Sequence, residues 1–323
     1  MRKIILEEHF VTPAFLDGPG YRIREMSRLP AFTGLADKLC DVGDKRISEM
    51  DAAGIDMQIM SLNSPGVEQL EASASVETAR ETNDTLARAI ESHPARFAGF
   101  AALPTPAPER AADELERVVS QYGFKGGFIN GHSRGRYLDD TFFWPILERA
   151  ELLGVPLYIH PTPPPEPVTK SYYTGNFSQE VSARLSTAAW GWHIETAIHV
   201  IRLILSGAFD KYPKLQVVIG HLGESLPFML PRINTNLPTQ LTKLQKSLGA
   251  YLRENVHYTP SGFNYTPAFM DLLFEVGVDR IMFSSDYPYW SMQLACDFLD
   301  HLPLSPLDKE KIAHGNAERL FRV

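Results

Sequence analysis

Residues 97–103 (FAGFAAL), 108–121 (PERAADELERVVSQ) and 124–131 (FKGGFING) decide the fold class of this chain. The first and last are short apolar runs with aromatic residues and read as strands, while the middle one carries apolar residues at helical spacing. Gly123 follows the helical pattern, at a position where a left-handed C-cap favours glycine. Strand, helix and strand in succession, with no hairpin between them, describe two parallel strands joined by a crossover helix.

The same rhythm runs outward in both directions. Further strands are expected at 4–9, 55–62, 156–161, 216–223, 256–262 and 280–287, and further helices at 76–92, 142–153, 185–206, 266–276 and 308–320. Gly154, Gly207 and Gly277 again follow helical patterns. Eight strand–helix units predict an α/β chain folded as a (β/α)₈ TIM barrel, one domain over residues 1–323. A doubly wound open sheet is the alternative, but no glycine-rich phosphate fingerprint follows the first strand. Two stretches break the rhythm: 10–46 after strand one, and 161–184 after strand five, which opens Pro161-Thr162-Pro163-Pro164-Pro165. Segments of that length are usually functional lids or disordered, and both would lie over the C-terminal face of a barrel.

Composition mainly excludes. With 323 residues and 44% hydrophobic content the chain is able to bury a large core. A net charge of −8 and a pI near 5.7 argue against a nucleic-acid partner or an anionic membrane. Cys40 and Cys296 form no CxxC pair and no disulfide framework. The apolar run 4–6 is too short for a signal-peptide core, and nothing approaches a membrane span. A cytoplasmic, soluble protein is expected.

The histidines and acids carry the functional signal. Glu7 and His9 close strand one, and positions i and i+2 of a strand share a face. His160 closes strand five, His221 strand six and Asp286 strand eight, so all five stand at one end of the barrel. Carboxylates mixed with imidazoles suit a divalent ion, Zn²⁺ or Mn²⁺. Each residue alone has a plainer reading: a Glu-x-His pattern is weak, His160 fits a core histidine, and Asp286 fits a turn cap. Their coincidence at C-terminal strand ends points to a metal site. His93, His301 and His314 read as surface or loop residues, and His193 and His199 lie on a helix. His257 starts strand seven, the wrong end for chemistry, and His132 follows strand four, near the site without being a ligand.

The segments Leu6-Glu7-Glu8-His9-Phe10, Ile59–Asn63, Phe100–Pro104, Gly123–Gly126, Asn130-Gly131, Tyr158–Pro161, Gly220–Glu224 and Asp279–Pro288 together resemble the aromatic acid decarboxylases of the amidohydrolase superfamily. These include the γ-resorcylate, 2,3-dihydroxybenzoate and 5-carboxyvanillate decarboxylases, and the resemblance spans essentially the whole chain. Many amidohydrolases open with His-x-His; glutamate in the first ligand position points to the decarboxylase branch. The resemblance implies Glu7, His9, His160 and Asp286 as metal ligands, and Asp286, His221 and Glu224 as catalytic residues. It implies Arg232, Asn130, Tyr289 and Arg46 as substrate-binding residues, Arg46 reaching a neighbouring subunit's site within a homodimer or homotetramer.

Read from the residues alone, Glu224 either orients His221 or is a first-turn acid on the following helix. Arg232 is either a carboxylate clamp or a surface arginine, and Tyr289 either a wall for the substrate or an ordinary core aromatic. One departure stands out. Several family members carry His-Pro-Arg-Asn-Pro after strand five, whereas this chain reads His160-Pro161-Thr162-Pro163-Pro164. The expected reaction is non-oxidative decarboxylation of a hydroxylated benzoate, with a small aromatic carboxylate as partner and Asp286 as proton donor. The alternatives are hydrolysis of a lactone or amide, with Asp286 as base, and a barrel that has lost catalysis and only binds.

Overall fold

The computed structural model describes every residue from Met1 to Val323. Its strands are β1 (Ile4–Phe10), β2 (Met57–Leu62), β3 (Phe97–Gly99), β4 (Ala101–Ala102), β5 (Gly127–Asn130), β6 (Leu157–His160), β7 (Val217–Ile219) and β8 (Val256–Tyr258). Neighbours pair in parallel in the orders β1-β2-β3 and β4-β5-β6-β7-β8. β3 and β4 occupy one position in the ring, broken at Phe100, whose N–H bonds to Met60 while that of Ala101 bonds to Gly126. The eighth position is held by residues 281–287. They bond to β8 through Met282 N–H to Tyr258 O (2.8 Å), and to β1 through Leu6 N–H to Phe283 O (3.3 Å) and His9 N–H to Tyr287 O (2.8 Å). Those bonds close the ring as the TIM barrel that the alternation predicts.

Helices Ala72–Ser92, Pro108–Tyr122, Trp144–Leu153 and Thr266–Val276 fall where the apolar periodicity puts them. Gly123, Gly154 and Gly207 stand in the left-handed region at helix ends, while Gly277 combines positive φ with ψ of 158°. The helix expected from 185 starts only at Gly191, after a tight turn. Residues 10–46 are not an open loop. They fold into short helices Pro13–Asp17, Tyr21–Met26 and Leu35–Cys40, and into the start of Asp44–Ala53, the crossover from β1 to β2. Each is too short to show a period. Residues 161–184 likewise hold helices Glu166–Tyr172 and Gln179–Leu185. No helix is long and apolar enough to cross a membrane.

Alternation along the strands builds two apolar layers. Ile4, Leu6, Met57, Ile59, Phe100, Phe128, Tyr158, Val218 and Met282 fill the barrel, and Phe321 from the last helix packs against them, 5.5 Å from Phe100. Ile5, Met60, Leu62, Leu157, Ile159, Val217 and Ile219 face the helices instead. Burying one such side chain contributes about 1.5–3 kcal/mol. The lower barrel is therefore solid hydrocarbon, and polar groups gather at the strands' C-terminal ends.

Candidate metal centre and active site

The site begins with an irregularity in β1. Pairing with β2 slips between Leu6 and Glu8, and Glu7, the extra residue, has φ of 66°. Strict alternation after Ile4 and Leu6 would send Glu8 into the barrel. The bulge reverses the phase, so Glu7 and His9 face inward and Glu8 faces out. Glu8 is buried there and pins the eighth segment, accepting bonds from Ser285 N–H (2.8 Å), Ser285 Oγ (2.7 Å) and Tyr287 N–H (3.1 Å). Asp286 lies between those two residues, itself at φ of 67°. Non-glycine residues in this region cost about 1–3 kcal/mol each and cluster at functional sites.

Hydroxyls from three positions converge on Glu7. Tyr158 and Ser261 both donate to Oε2, and Thr259 approaches it at 3.3 Å. Gly220 backs the carboxylate; a Cβ there would stand 2.6 Å from Oε2. Oε1 is buried with no hydrogen-bond partner and lies 3.4 Å from His160 Nε2. His160 Nδ1 is held by Asn130 Oδ1 at 3.0 Å, and His9 Nδ1 by Ser61 Oγ at 3.3 Å, which leaves both Nε2 lone pairs free to point inward. Ligand atoms of Glu7, His9 and His160 lie within 4.8 Å of one another, and Asp286 Oδ1 is 3.1 Å from His9 Nε2. A buried, unpartnered carboxylate oxygen beside two histidine lone pairs and a second carboxylate fits a divalent cation.

Electrostatics agree with that fit. Burial drives His9 down to about 4, against the pull of Glu7, and drives His160 well below the usual histidine range, with His9 and His221 adding to the effect. Both imidazoles are thus neutral, as ligands must be. Burial also raises Glu7, and it lifts Asp286 to about 7 although His221 and His193 oppose it. For both carboxylates burial outweighs the nearby imidazoles.

Tyr158→Phe keeps the ring, which packs 4.9 Å from Phe128, and removes one hydroxyl from Oε2. The Kd for Mn²⁺ is expected to rise roughly tenfold, the scale on which outer-shell partners act. Titration calorimetry checks this, and an unchanged Kd would show that the hydroxyl does not hold Glu7.

His221 follows β7 in a left-handed turn: residues His221 to Ser225 all have positive φ, from 47° to 83°. The turn folds Glu224 back so that Oε1 lies 2.8 Å from His221 Nδ1, the first of the two arrangements open to it from the sequence. Burial would lower His221, but Glu224, Glu7 and Asp286 outweigh it and hold the imidazole up at about 10. Glu224 is fully buried yet held below the usual range by its neighbours His221 and His193. From the sequence alone, His193 reads only as a helix residue. His193 Nδ1 lies 2.5 Å from Glu224 Oε2. Its signal, the Gly191-Trp192-His193 opening of a helix just after the long insertion, carries no recognisable spacing to Glu224.

Of the residues expected to bind substrate, Tyr289 comes to the site, its ring 5.9 Å from His9 and its hydroxyl bonded to Asn63. Arg232 is exposed on the helix Leu226–Asn236 and makes no ion pair. Asn130 differs from expectation. Its Oδ1 holds His160, its Nδ2 reaches Leu62 O at 3.4 Å, and its N–H donates to buried Glu68, so both ends of the amide are engaged within the chain.

Arg46 also differs. It is wholly buried, donating to the carbonyls of Asp41 (2.7 Å), His9 (2.7 Å) and Lys38 (3.1 Å) and lying 4.9 Å from the Tyr287 ring. A guanidinium so engaged does not extend to a neighbouring subunit; it fixes the backbone at the metal-side end of β1. Arg46→Met takes the donor from three carbonyls, of which that of His9 is buried and those of Asp41 and Lys38 are partly so. Urea denaturation of the variant is expected to show a loss of about 1–3 kcal/mol, the cost of the buried one; a loss under about 1 kcal/mol would show that these bonds are dispensable.

Known proteins share this arrangement of elements. The amidohydrolase family model matches residues 21–323. The γ-resorcylate decarboxylase of Polaromonas sp. (strain JS666) is 38% identical over 99% of this chain and 98% of its own length. That of Rhizobium sp. (strain MTP-10005) is 36% identical over the same shares. Among solved structures, a 2,6-dihydroxybenzoate decarboxylase in complex with 2,6-dihydroxybenzoate superposes with a TM-score of 0.90 at 35% identity, covering 100% of both chains. A 5-carboxyvanillate decarboxylase from Novosphingobium aromaticivorans with bound manganese gives 0.91 at 34% identity, covering 100% of this chain and 97% of that one. The closed barrel, the inward-facing acids and histidines at its C-terminal end, and similarity along the whole length lead to one conclusion: this chain belongs to the amidohydrolase family.

Proposed function

We propose that this chain is a metal-dependent, non-oxidative decarboxylase of a hydroxylated aromatic carboxylic acid. The observation that carries the reading is Asp286, a buried carboxyl facing the same point as Glu7, His9 and His160. Relatives at 36–38% identity over 99% of the chain are named γ-resorcylate decarboxylases, which supports it further. Glu7 Oε1, His9 Nε2, His160 Nε2 and Asp286 would hold Mn²⁺ or Zn²⁺. When bound, the ion supplies Lewis acidity and a template for the substrate's carboxylate and neighbouring phenolate.

The chain's own groups do the rest. Tyr289 stands beside His9 as a wall for the ring, and Arg232, whose guanidinium has no partner within the chain, is proposed to receive the substrate's outer oxygens. Asp286 gives its proton to the ring carbon that bears the carboxylate. The bond from that carbon to the carboxylate then breaks, its electron pair restores the aromatic ring, and CO₂ leaves. Solvent returns a proton to Asp286. His221, a cation at neutral pH because of Glu224, stabilises the anionic substrate beside the donor. A carboxyl buried beside the reacting carbon is positioned for that task.

Purified protein loaded with Mn²⁺ or Zn²⁺ and incubated with a panel of dihydroxybenzoates tests the reading. CO₂ release and the decarboxylated phenol are expected with at least one. Silence across the panel combined with turnover of lactones or amides would replace it with the hydrolytic reading, in which Asp286 takes a proton from water.

A further inference from the structure

We propose that His193 is a positioning residue of this active site, holding the carboxylate oxygen of Glu224 that His221 does not, so that the two imidazoles and the carboxylate act as one unit. The inference rests on the decarboxylase reading for its kinetic arm only. Glu224 has no exposed atoms on its side chain, and each of its oxygens faces one imidazole Nδ1: Oε1 that of His221 at 2.8 Å, Oε2 that of His193 at 2.5 Å. The two rings stand 4.7 Å apart at 67°. A carboxylate held by one donor is able to rotate about its last bond; one held at both oxygens is not. The direction in which His221 presents Nε2 to the site is therefore set by His193 as much as by Glu224.

His193 is itself fixed by the turn that precedes its helix. The Trp192 indole N–H lies 3.1 Å from His193 Nε2, and the Ala188 carbonyl is also 3.1 Å from that nitrogen. Nε2 cannot serve both: unprotonated, it accepts the indole hydrogen and has no bond to the Ala188 carbonyl, and the ring's one proton is then on Nδ1, facing Glu224. Gly191 is what lets the turn close this far: a Cβ there would stand 2.4 Å from the Ser186 carbonyl oxygen, which is backbone and unable to move aside. The chain between β6 and the helix Gly191–Leu205 thus ends on the catalytic pair. A histidine with only a packing role would need neither nitrogen matched.

The test compares H193A with H193N, whose side-chain amide offers an N–H near the position of Nδ1, in the metal-loaded enzyme. H193A is expected to lower kcat roughly ten- to a hundredfold, with KM and the Mn²⁺ Kd within about twofold of the parent, and H193N to recover most of the loss. A second readout needs no turnover. In Zn²⁺-loaded, ¹⁵N-histidine-labelled protein, the Nδ1–H resonance of His221, assigned by its loss in H221N, is expected to shift and exchange faster in H193A but not in H193N. Equal behaviour of H193A and H193N in both readouts, or a His221 resonance unmoved in H193A, would overturn the assignment. If the parent releases no CO₂ from any dihydroxybenzoate, the decarboxylase reading fails, and the resonance alone still decides the role of His193.

Discussion

Asp286→Asn is expected to lower kcat for CO₂ release by about 10²–10⁴-fold, the range over which a positioned general acid acts. The substitution keeps the shape of the side chain and removes the transferred proton together with one anionic oxygen from the proposed ion, so turnover is compared at saturating metal. Position is not at stake, because Glu8 holds Ser285 and Tyr287 on either side. Nor is the fold. Burial raises Asp286 to about 7, so the folded metal-free protein binds this proton more tightly than the unfolded chain does. The sign follows: stability is lost as pH rises from the ordinary carboxylate range through about 7, and asparagine removes that loss. Without metal the variant should melt no lower than the parent at neutral pH, and with metal it should be nearly inactive. Single-turnover rates with the best substrate of the panel, alongside melting curves, check both halves. A kcat within tenfold of the parent would move the proton donor elsewhere, and His221 would be the first place to look.

Strand order, ring closure and the end of the barrel that carries the chemistry are all legible in the sequence, because they rest on hydrophobic periodicity and on residues at strand ends. Glu7, His9, His160, His221 and Asp286 converge as their positions in the strands imply. The reason Glu7 and His9 face inward is not legible. Alternation counted from Ile4 and Leu6 gives the opposite face, and a bulge built on a glutamate at φ of 66° has no sequence signature such as glycine would supply. Glu8 is invisible for the same reason, since its value lies in two backbone N–H groups 277 and 279 residues away. Tyr158 sits two residues before His160 on the inner face of β6, so its place beside the site follows from period two; that its hydroxyl meets Glu7 across the barrel does not. Arg46 and Asn130 enter as substrate-binding residues only through the family resemblance, since nothing in their local sequence says what they touch. Tertiary packing instead turns Arg46 onto backbone carbonyls and Asn130 onto His160. His193 shows the converse, a helix residue whose partner is 31 positions away and reached only through a left-handed turn.

Glu7→Gln separates what the site does for the fold from what it does for function. The glutamate is fully buried, its carboxyl raised by desolvation and by the charge of Asp286, and its Oε1 has no partner. A group raised in the folded state makes the metal-free protein less stable as pH climbs above the ordinary carboxylate range. Removing the charge is therefore expected to raise the melting temperature of metal-free protein at neutral pH. Metal reverses the ranking. An ion bound to the parent at a hundred times its Kd adds about 2.7 kcal/mol by mass action, whereas glutamine, with no anionic oxygen to offer, loses most of that affinity. The expected result is a crossing: the variant melts higher than the parent in chelator and lower in excess Mn²⁺, with metal-dependent turnover abolished. A variant that still gains stability from Mn²⁺ and keeps its activity would place the ion away from Glu7. One that melts lower than the parent in chelator as well would mean that the three hydroxyls on Oε2 already repay the burial of the charge, and that the bulge in β1 serves the fold as well as the metal.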